Sequence, residues 1–209
     1  MLLPVATMAR PSSTAPDAPE APGASAGSRE IDAETLALCK AGDAAAFARF
    51  VRHYERPVFS LLARVMGPRA DLEDLAQEAF LRAFQALPRF DVGGPATVTT
   101  WLLTIATRLA LNDRRRPRSL FAPLGSADTA DASTPEHARA AAELARAIER
   151  AAATLPIDQR AAFVLAEFHD LTMADIARAL AIPENTAKTR VFRAREKMRE
   201  LLLPYWSDR

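Results

Sequence analysis

The chain has 209 residues, 49% hydrophobic and 25% charged, enough for one medium domain or two small ones with cores of their own. Its 27 basic and 26 acidic side chains leave a formal net charge of +1, which excludes a polycation, so any nucleic-acid surface must come from uneven placement of charge. A single cysteine, Cys39, excludes an internal disulfide and gives no zinc-ligand spacing, as expected in a reducing, cytoplasmic setting.

Residues 1–28 are rich in Pro, Ala, Ser and Gly and poor in large apolar side chains. Such a composition cannot offset the entropy of ordering and predicts a disordered tail. The short apolar run in MLLPVATMAR has no basic region ahead of it, and no hydrophobic stretch approaches the length of a membrane span, so no membrane insertion is expected. From Ile31 to about Arg116 the periodicity predicts helices, with Pro and Gly confined to breaks such as Gly67-Pro68, Pro88 and Gly93-Gly94-Pro95.

In DLEDLAQEAFLRAFQAL, from Asp71 to Leu87, one face carries Leu72, Leu75, Ala76, Ala79, Phe80, Ala83, Phe84 and Leu87 at the spacing of a buried helix stripe. The opposite face holds Asp74, Gln77, Glu78, Leu81 and Gln85. Acids in a first turn suit the helix dipole. An apolar Leu81 inside a polar, acidic stripe goes beyond what a solvated face requires.

The loop from Asp91 to Thr99 is rich in Gly and Thr, and the following TVTTWLLTIATRLALNDRRRPR predicts another helix. Val98, Trp101, Leu102, Ile105 and Leu109 form its apolar stripe; Thr100, Thr104, Thr107, Arg108 and Leu111 line much of the rest. Arg114, Arg115, Arg116 and Arg118 put four cations within five residues, more than a helix C-terminus needs for its dipole and suited to phosphate contact. Residues 118–137 then have small and acidic residues without a period, which predicts a linker.

A second helical block is expected from about Ala138 to Leu203. Within it, Leu155 and Pro156 open one helix, and Thr172 caps a short one from Met173 to Leu180, with Asp175 placed to complete a capping arrangement. The turn Ala181-Ile182-Pro183 leads into ENTAKTRVFRAR. A short helix, a tight turn and a second helix predict a helix-turn-helix. Ala187, Val191, Ala194 and Met198 then point inward, while Lys188, Thr189, Phe192 and Arg193, with Arg190 and Arg195 at the edge, project outward. Cations there reach phosphates and guanine edges, Thr189 can donate, and Phe192 can meet thymine methyls.

No catalytic constellation or Gly-rich phosphate loop accompanies these elements: His53, His137 and His169 are scattered, and His169 reads as a helix-end residue favoured by the dipole. The chain is expected to be all-α and not an enzyme, with no cofactor or metal.

DLEDLAQEAFLRAF, TTWLLTIATRLALNDRRR and LTMADIARALAIPENTAKTRVFRAREKMRE, in that order, resemble the sigma-70 family of bacterial sigma factors. The similarity is to the extracytoplasmic-function subgroup, which keeps only conserved regions 2 and 4. The resemblance implies region 2 over 29–117, a linker over 118–137 and region 4 over 138–209, following the tail of 1–28. It implies that Asp74, Gln77, Glu78 and Leu81 dock on the clamp helices of core RNA polymerase. Thr97, Thr99, Thr100, Thr104, Arg108, Arg114, Arg115 and Arg116 would capture the unstacked minus-ten element. Asn185, Thr186, Lys188, Thr189, Arg190, Phe192, Arg193 and Arg195 would read the minus-thirty-five element in duplex promoter DNA. An anti-sigma factor is implied as a further partner.

The chain departs from the family pattern at Arg108, where Asn is usual, at Asn112, where Asp is common, and at Val98-Thr99, which replace an aromatic and basic pair. Ala181 and Asn185 each stand where Gly is frequent. Two other classes share some of these features. A stand-alone helix-turn-helix repressor or activator would bind an operator as a dimer, but leaves the acidic face without a purpose. An enzyme with an accessory DNA-binding domain lacks its site.

Overall fold

A computed structural model describes residues 30–67, 69, 71–113 and 135–205. Among these the regular elements are α-helices and two short 3-10 turns, with no strand. The first block holds α1 (Ala33–Lys40), α2 (Ala44–Met66), α3 (Leu72–Ala86) and α4 (Val98–Asp113). The second holds α5 (Pro135–Ala153), α6 (Ile157–Glu167), α7 (Met173–Leu180) and α8 (Glu184–Leu202).

Local chemistry sets the boundaries. Asp32 and Asp43 each cap a helix, accepting the Thr35 and Ala46 N–H groups at 2.7 Å. Gly42 lies at φ 88°, a left-handed conformation that lets the chain leave α1 and start α2 at once. Gly67, at φ 75°, ends α2.

α2 is the spine of the first block and packs against α1, α3, α4 and, from the second block, α6. Its Phe50, Tyr54, Val58, Leu61, Leu62 and Val65 recur every three or four residues and are fully buried. Each such side chain contributes about 1.5–3 kcal/mol by leaving water, and Leu61→Ala would cost about 2–5 kcal/mol. Phe50 packs between Phe47 and Tyr54, at centroid distances of 5.5 and 4.8 Å. In the second block α8 lies on α5, α6 and α7, burying Ala187, Val191, Ala194, Met198 and Leu202. The apolar core is continuous across both blocks, because α6 also packs on α2 and α7 on α4.

Several expectations need correction. Pro57 sits inside α2 and not at a break; its ring costs one intrahelical hydrogen bond, which the apolar stripe around it outweighs. Phe84 lies at the edge of the buried stripe of α3 and is 38% exposed, edge-on to Phe47 at 4.8 Å. Pro156 precedes α6 and does not belong to it. α5 begins at Pro135, so the end of the stretch read as a linker is helical. The tail of 1–28 and residues 114–134 lie outside the described residues.

Candidate nucleic-acid interface

The helix-turn-helix forms as the spacing predicts. The Thr172 hydroxyl accepts the Asp175 N–H at 3.2 Å and donates to the Asp175 carboxylate at 2.6 Å, starting α7 with a reciprocal cap. α7 ends in a Schellman arrangement, with Ile182 N–H on the Ala177 carbonyl at 3.0 Å and Ala181 N–H on that of Arg178 at 3.3 Å. This closure requires a left-handed residue, and Ala181 supplies it at φ 53°, ψ 49°. Pro183, in extended conformation, then caps α8 just outside its first turn.

On α8 the outer face is open. Asn185, Lys188, Thr189, Phe192, Arg193 and Arg195 are exposed, Phe192 at 63%, while Thr186 and Arg190 are half-buried. Several cations hold acidic partners: Lys188 pairs with Glu184 at 2.8 Å, Arg195 with Glu167 at 2.6 Å and Arg190 with Asp158 at 3.7 Å. Exposed pairs of this kind are worth at most about 1 kcal/mol, so a phosphate can displace the carboxylate. The Thr189 hydroxyl donates to the Asn185 carbonyl at 2.8 Å, so its proton is engaged and its oxygen is left to accept.

The minus-ten candidates are arranged differently from the sequence expectation. The loop before α4 is closed on itself: the Asp91 carboxylate accepts the Gly93 N–H at 3.0 Å, and its carbonyl accepts that of Gly94 at 3.2 Å. A Cβ on Gly94 would lie 3.2 Å from both Asp91 oxygens, so this position is tight. Thr97 caps α4 through the Thr100 N–H at 3.1 Å and is exposed. Thr100 is buried; Thr99 and Thr104 are half-buried, and the Thr104 hydroxyl donates to the Thr100 carbonyl at 2.8 Å. Thr107, expected on the outward side, is fully buried and donates to Leu103 at 2.7 Å. Arg108 is exposed, but its guanidinium donates to the Arg178 carbonyl at 2.6 Å and to that of Ala179 at 3.2 Å, at the C-terminus of α7. Arg114, Arg115 and Arg116 lie outside the described residues.

On α3, Asp74, Gln77, Glu78 and Leu81 share one face, as their spacing requires. Asp74 and Gln77 are exposed, Leu81 is 52% exposed, and Glu78 is half-buried against Arg82 at 2.8 Å. Arg69 ties the start of α3 to the end of α4: it pairs with Asp71 and reaches the Asp113 carboxylate at 2.9 Å. The hydrogen bond to Asp71, with Asp113 behind it, raises the Arg69 pKa. Neither Arg69 nor Asp113 shows a periodic sequence signal. Among the described residues there is no cluster of His, Cys, Asp and Glu able to hold a metal, and no helix is long and apolar enough to cross a membrane.

Two helical units, one ending in an exposed cationic recognition helix and the other presenting an acidic ridge with an apolar residue at its centre, define a helix-turn-helix transcription protein. Comparison with known proteins gives the family. The Sigma-70 region 2 model matches residues 50–119 and the Sigma-70, region 4 model matches residues 145–198. The chain is 34% identical over 174 residues to the ECF RNA polymerase sigma factor SigW of Bacillus subtilis, covering 78% of this chain and 92% of that protein. It is 33% identical over 187 residues to the RNA polymerase sigma-H factor of Pseudomonas aeruginosa, with 84% and 96% covered.

Among solved structures, CnrH in complex with the cytosolic domain of CnrY matches with a TM-score of 0.57 at 25% identity, over 81% of this chain and 95% of that one. The Bartonella quintana sigma factor RpoE, solved with the anti-sigma factor NepR, has the same fold at a TM-score of 0.57 and 21% identity, with 75% and 96% covered. The chain belongs to the extracytoplasmic-function subgroup of the sigma-70 family of RNA polymerase sigma factors. It is thus a factor for promoter-directed transcription initiation, in a family of sigma factors and not of enzymes.

Proposed function

We propose that this sigma factor divides its work between three surfaces in the bacterial cytoplasm. Asp74, Gln77, Glu78 and Leu81 on α3 dock on the clamp helices of core RNA polymerase. Thr97, Thr99, Thr100, Thr104 and Arg108, with Arg114, Arg115 and Arg116, take the opened minus-ten strand. Asn185, Thr186, Lys188, Thr189, Arg190, Phe192, Arg193 and Arg195 read the minus-thirty-five duplex. The corresponding modules are 29–117 and 138–209, joined by 118–137 and preceded by a tail of 1–28. An anti-sigma factor holds the protein inactive, a reading supported by likeness to the Bartonella quintana RpoE, which was solved with the anti-sigma factor NepR.

The observation that supports this reading most is the α3 ridge, where an exposed Leu81 is ringed by Asp74, Gln77 and Glu78. Apolar area framed by charge is the composition of a docking surface. Asp74→Arg combined with Glu78→Arg is expected to abolish co-purification with core polymerase while leaving the far-ultraviolet circular dichroism unchanged. Undiminished co-purification would refute the docking assignment.

A further inference from the structure

The loop between the 3-10 turn Leu87–Arg89 and α4 is clamped at both ends by residues from earlier in the chain. At its start the Lys40 ammonium, in the last turn of α1, donates to the Phe90 carbonyl at 2.6 Å, and the buried Phe90 ring packs on Trp101 of α4 at a centroid distance of 4.9 Å. At its end the Glu30 carboxylate accepts the Val98 and Thr99 N–H groups at 3.1 and 3.2 Å, braced by the Tyr54 phenol of α2. Between the clamps Asp91 turns the chain through its contacts with Gly93 and Gly94. Arg178 of α7 also meets the loop, at the Pro95 carbonyl at 3.3 Å, but the clamps themselves all lie within the first block.

The first N–H groups of a helix lack intrahelical partners and are a natural seat for an anion. In α4 those of Val98, Thr99 and Thr100 are taken, two by Glu30 and the third by the Thr97 hydroxyl. This end of α4 therefore has side chains, and not N–H groups, to offer a nucleic acid. Within the loop one apolar side chain stands clear: Val92, 60% exposed, lies between Asp91, whose carboxylate is engaged, and two glycines. A lone exposed apolar residue is ordinary. One on a short loop fixed at both ends is presented in a single place, and the entropy of ordering that loop is met on folding and not on binding.

We propose that Glu30, Tyr54 and Lys40 are positioning residues for promoter reading, which hold loop 91–97 in one conformation and so set Val92 against an unstacked base of the minus-ten element. They act through the loop and touch no DNA. Glu30 and Lys40 lie outside residues 50–119, the stretch matched by the region 2 model. The part played by the loop in strand capture rests on the function proposed above; the frame around it rests on the contacts.

Core polymerase loaded with the full chain, and offered fork templates randomised across both elements with the minus-ten segment single-stranded, reads selectivity as the enrichment of bound templates at each position. The unsubstituted chain should enrich at both elements. In the Glu30→Ala/Lys40→Met variant, enrichment within the minus-ten segment should fall about tenfold, because the binding-competent fraction of loop conformers falls, while enrichment at the minus-thirty-five element is unchanged. Glu30→Gln/Lys40→Arg, which keeps an acceptor and a cation in place, should recover most of it. Val92→Ser alone should lose the same enrichment and should add little to the loss in the double variant, since effects that pass through one loop are not additive. A merely structural role would lower the yield of complex and leave selectivity intact, and that result would overturn the positioning role. So would a Val92→Ser loss that adds in full, or undiminished minus-ten enrichment in Val92→Ser, an exposed position that decides alone if the double variant loses its circular dichroism. An unsubstituted complex that enriches nothing in the minus-ten segment would instead refute the functional reading, and the positioning role with it.

Discussion

The carboxylate of Glu30 caps α4 from 68 residues away, accepting the Val98 N–H at 3.1 Å and, through its other oxygen, the Thr99 N–H at 3.2 Å. Tyr54 braces it: the phenol donates to the same carboxylate at 3.4 Å and accepts the Ile31 N–H at 3.1 Å. Burial pushes the Tyr54 phenol up to about 12, so it remains a donor at any working pH. Glu30→Ala should therefore cost about 1 kcal/mol, with Glu30→Gln recovering part of it. Equilibrium denaturation measures this, and unchanged stability in Glu30→Ala would show that Thr97 suffices as the cap.

Ala181 offers a test in the opposite direction. Its left-handed backbone costs an L-residue about 1–2 kcal/mol, and a glycine would escape that cost while making the unfolded chain more flexible. Ala181→Gly should raise stability by about 0.5–1 kcal/mol net, and Ala181→Val should lower it. A destabilised glycine variant would mean that the methyl group packs better than its exposure indicates.

His169 follows a pH dependence of definite sign. Burial, reinforced by the nearby Arg64 charge and opposed by Asp170, pushes its pKa from 6.5 down to about 4. It is therefore held neutral, contrary to the sequence expectation of a helix-end imidazole stabilised as a cation by the dipole. As pH falls, the unfolded chain takes up this proton before the folded one. Stability contributed by neutral His169 is whole above pH 6.5 and drains away between 6.5 and about 4, a loss of about 3 kcal/mol. Denaturation midpoints across this window should show that slope, and His169→Phe should flatten it; a slope unaltered in the variant would assign it to other groups.

On α8, Arg193→Ala should weaken binding to a minus-thirty-five duplex by about 1–3 kcal/mol if the side chain reads a base. Fluorescence anisotropy on the matched and a scrambled duplex separates the possibilities. An equal loss on both would reduce Arg193 to a phosphate contact.

Much of this architecture was legible because helices announce themselves through period. The stripe of Leu72, Leu75, Ala79 and Phe80, the Thr172–Asp175 cap and the inward Ala187, Val191, Ala194 and Met198 all lie where three-and-four spacing puts them. Leu81 betrayed its ridge by being apolar among acids. What escaped were relations that periodicity does not encode. Thr100 and Thr107 look like a polar face, yet both are buried, with the Thr107 hydroxyl donating to the Leu103 carbonyl of its own helix and the Thr100 hydroxyl accepting from that of Thr97. α4 also packs against α7, more than sixty residues on, where its Arg108 meets the Ala179 carbonyl. Glu30, Arg160 and Arg178 act across long sequence separations on main-chain carbonyls and N–H groups that carry no side-chain signature, and Arg64 meets the distant Phe168 ring.

Transcription in vitro with purified, sigma-free core polymerase and a library of promoter fragments is the most direct test of the function. Transcripts should begin at defined sites only when this protein is added, from promoters sharing two separated elements, and none should appear with the Asp74→Arg/Glu78→Arg variant. Polymerase that remains silent on every fragment, or the same transcripts from the charge-reversed variant, would contradict that function.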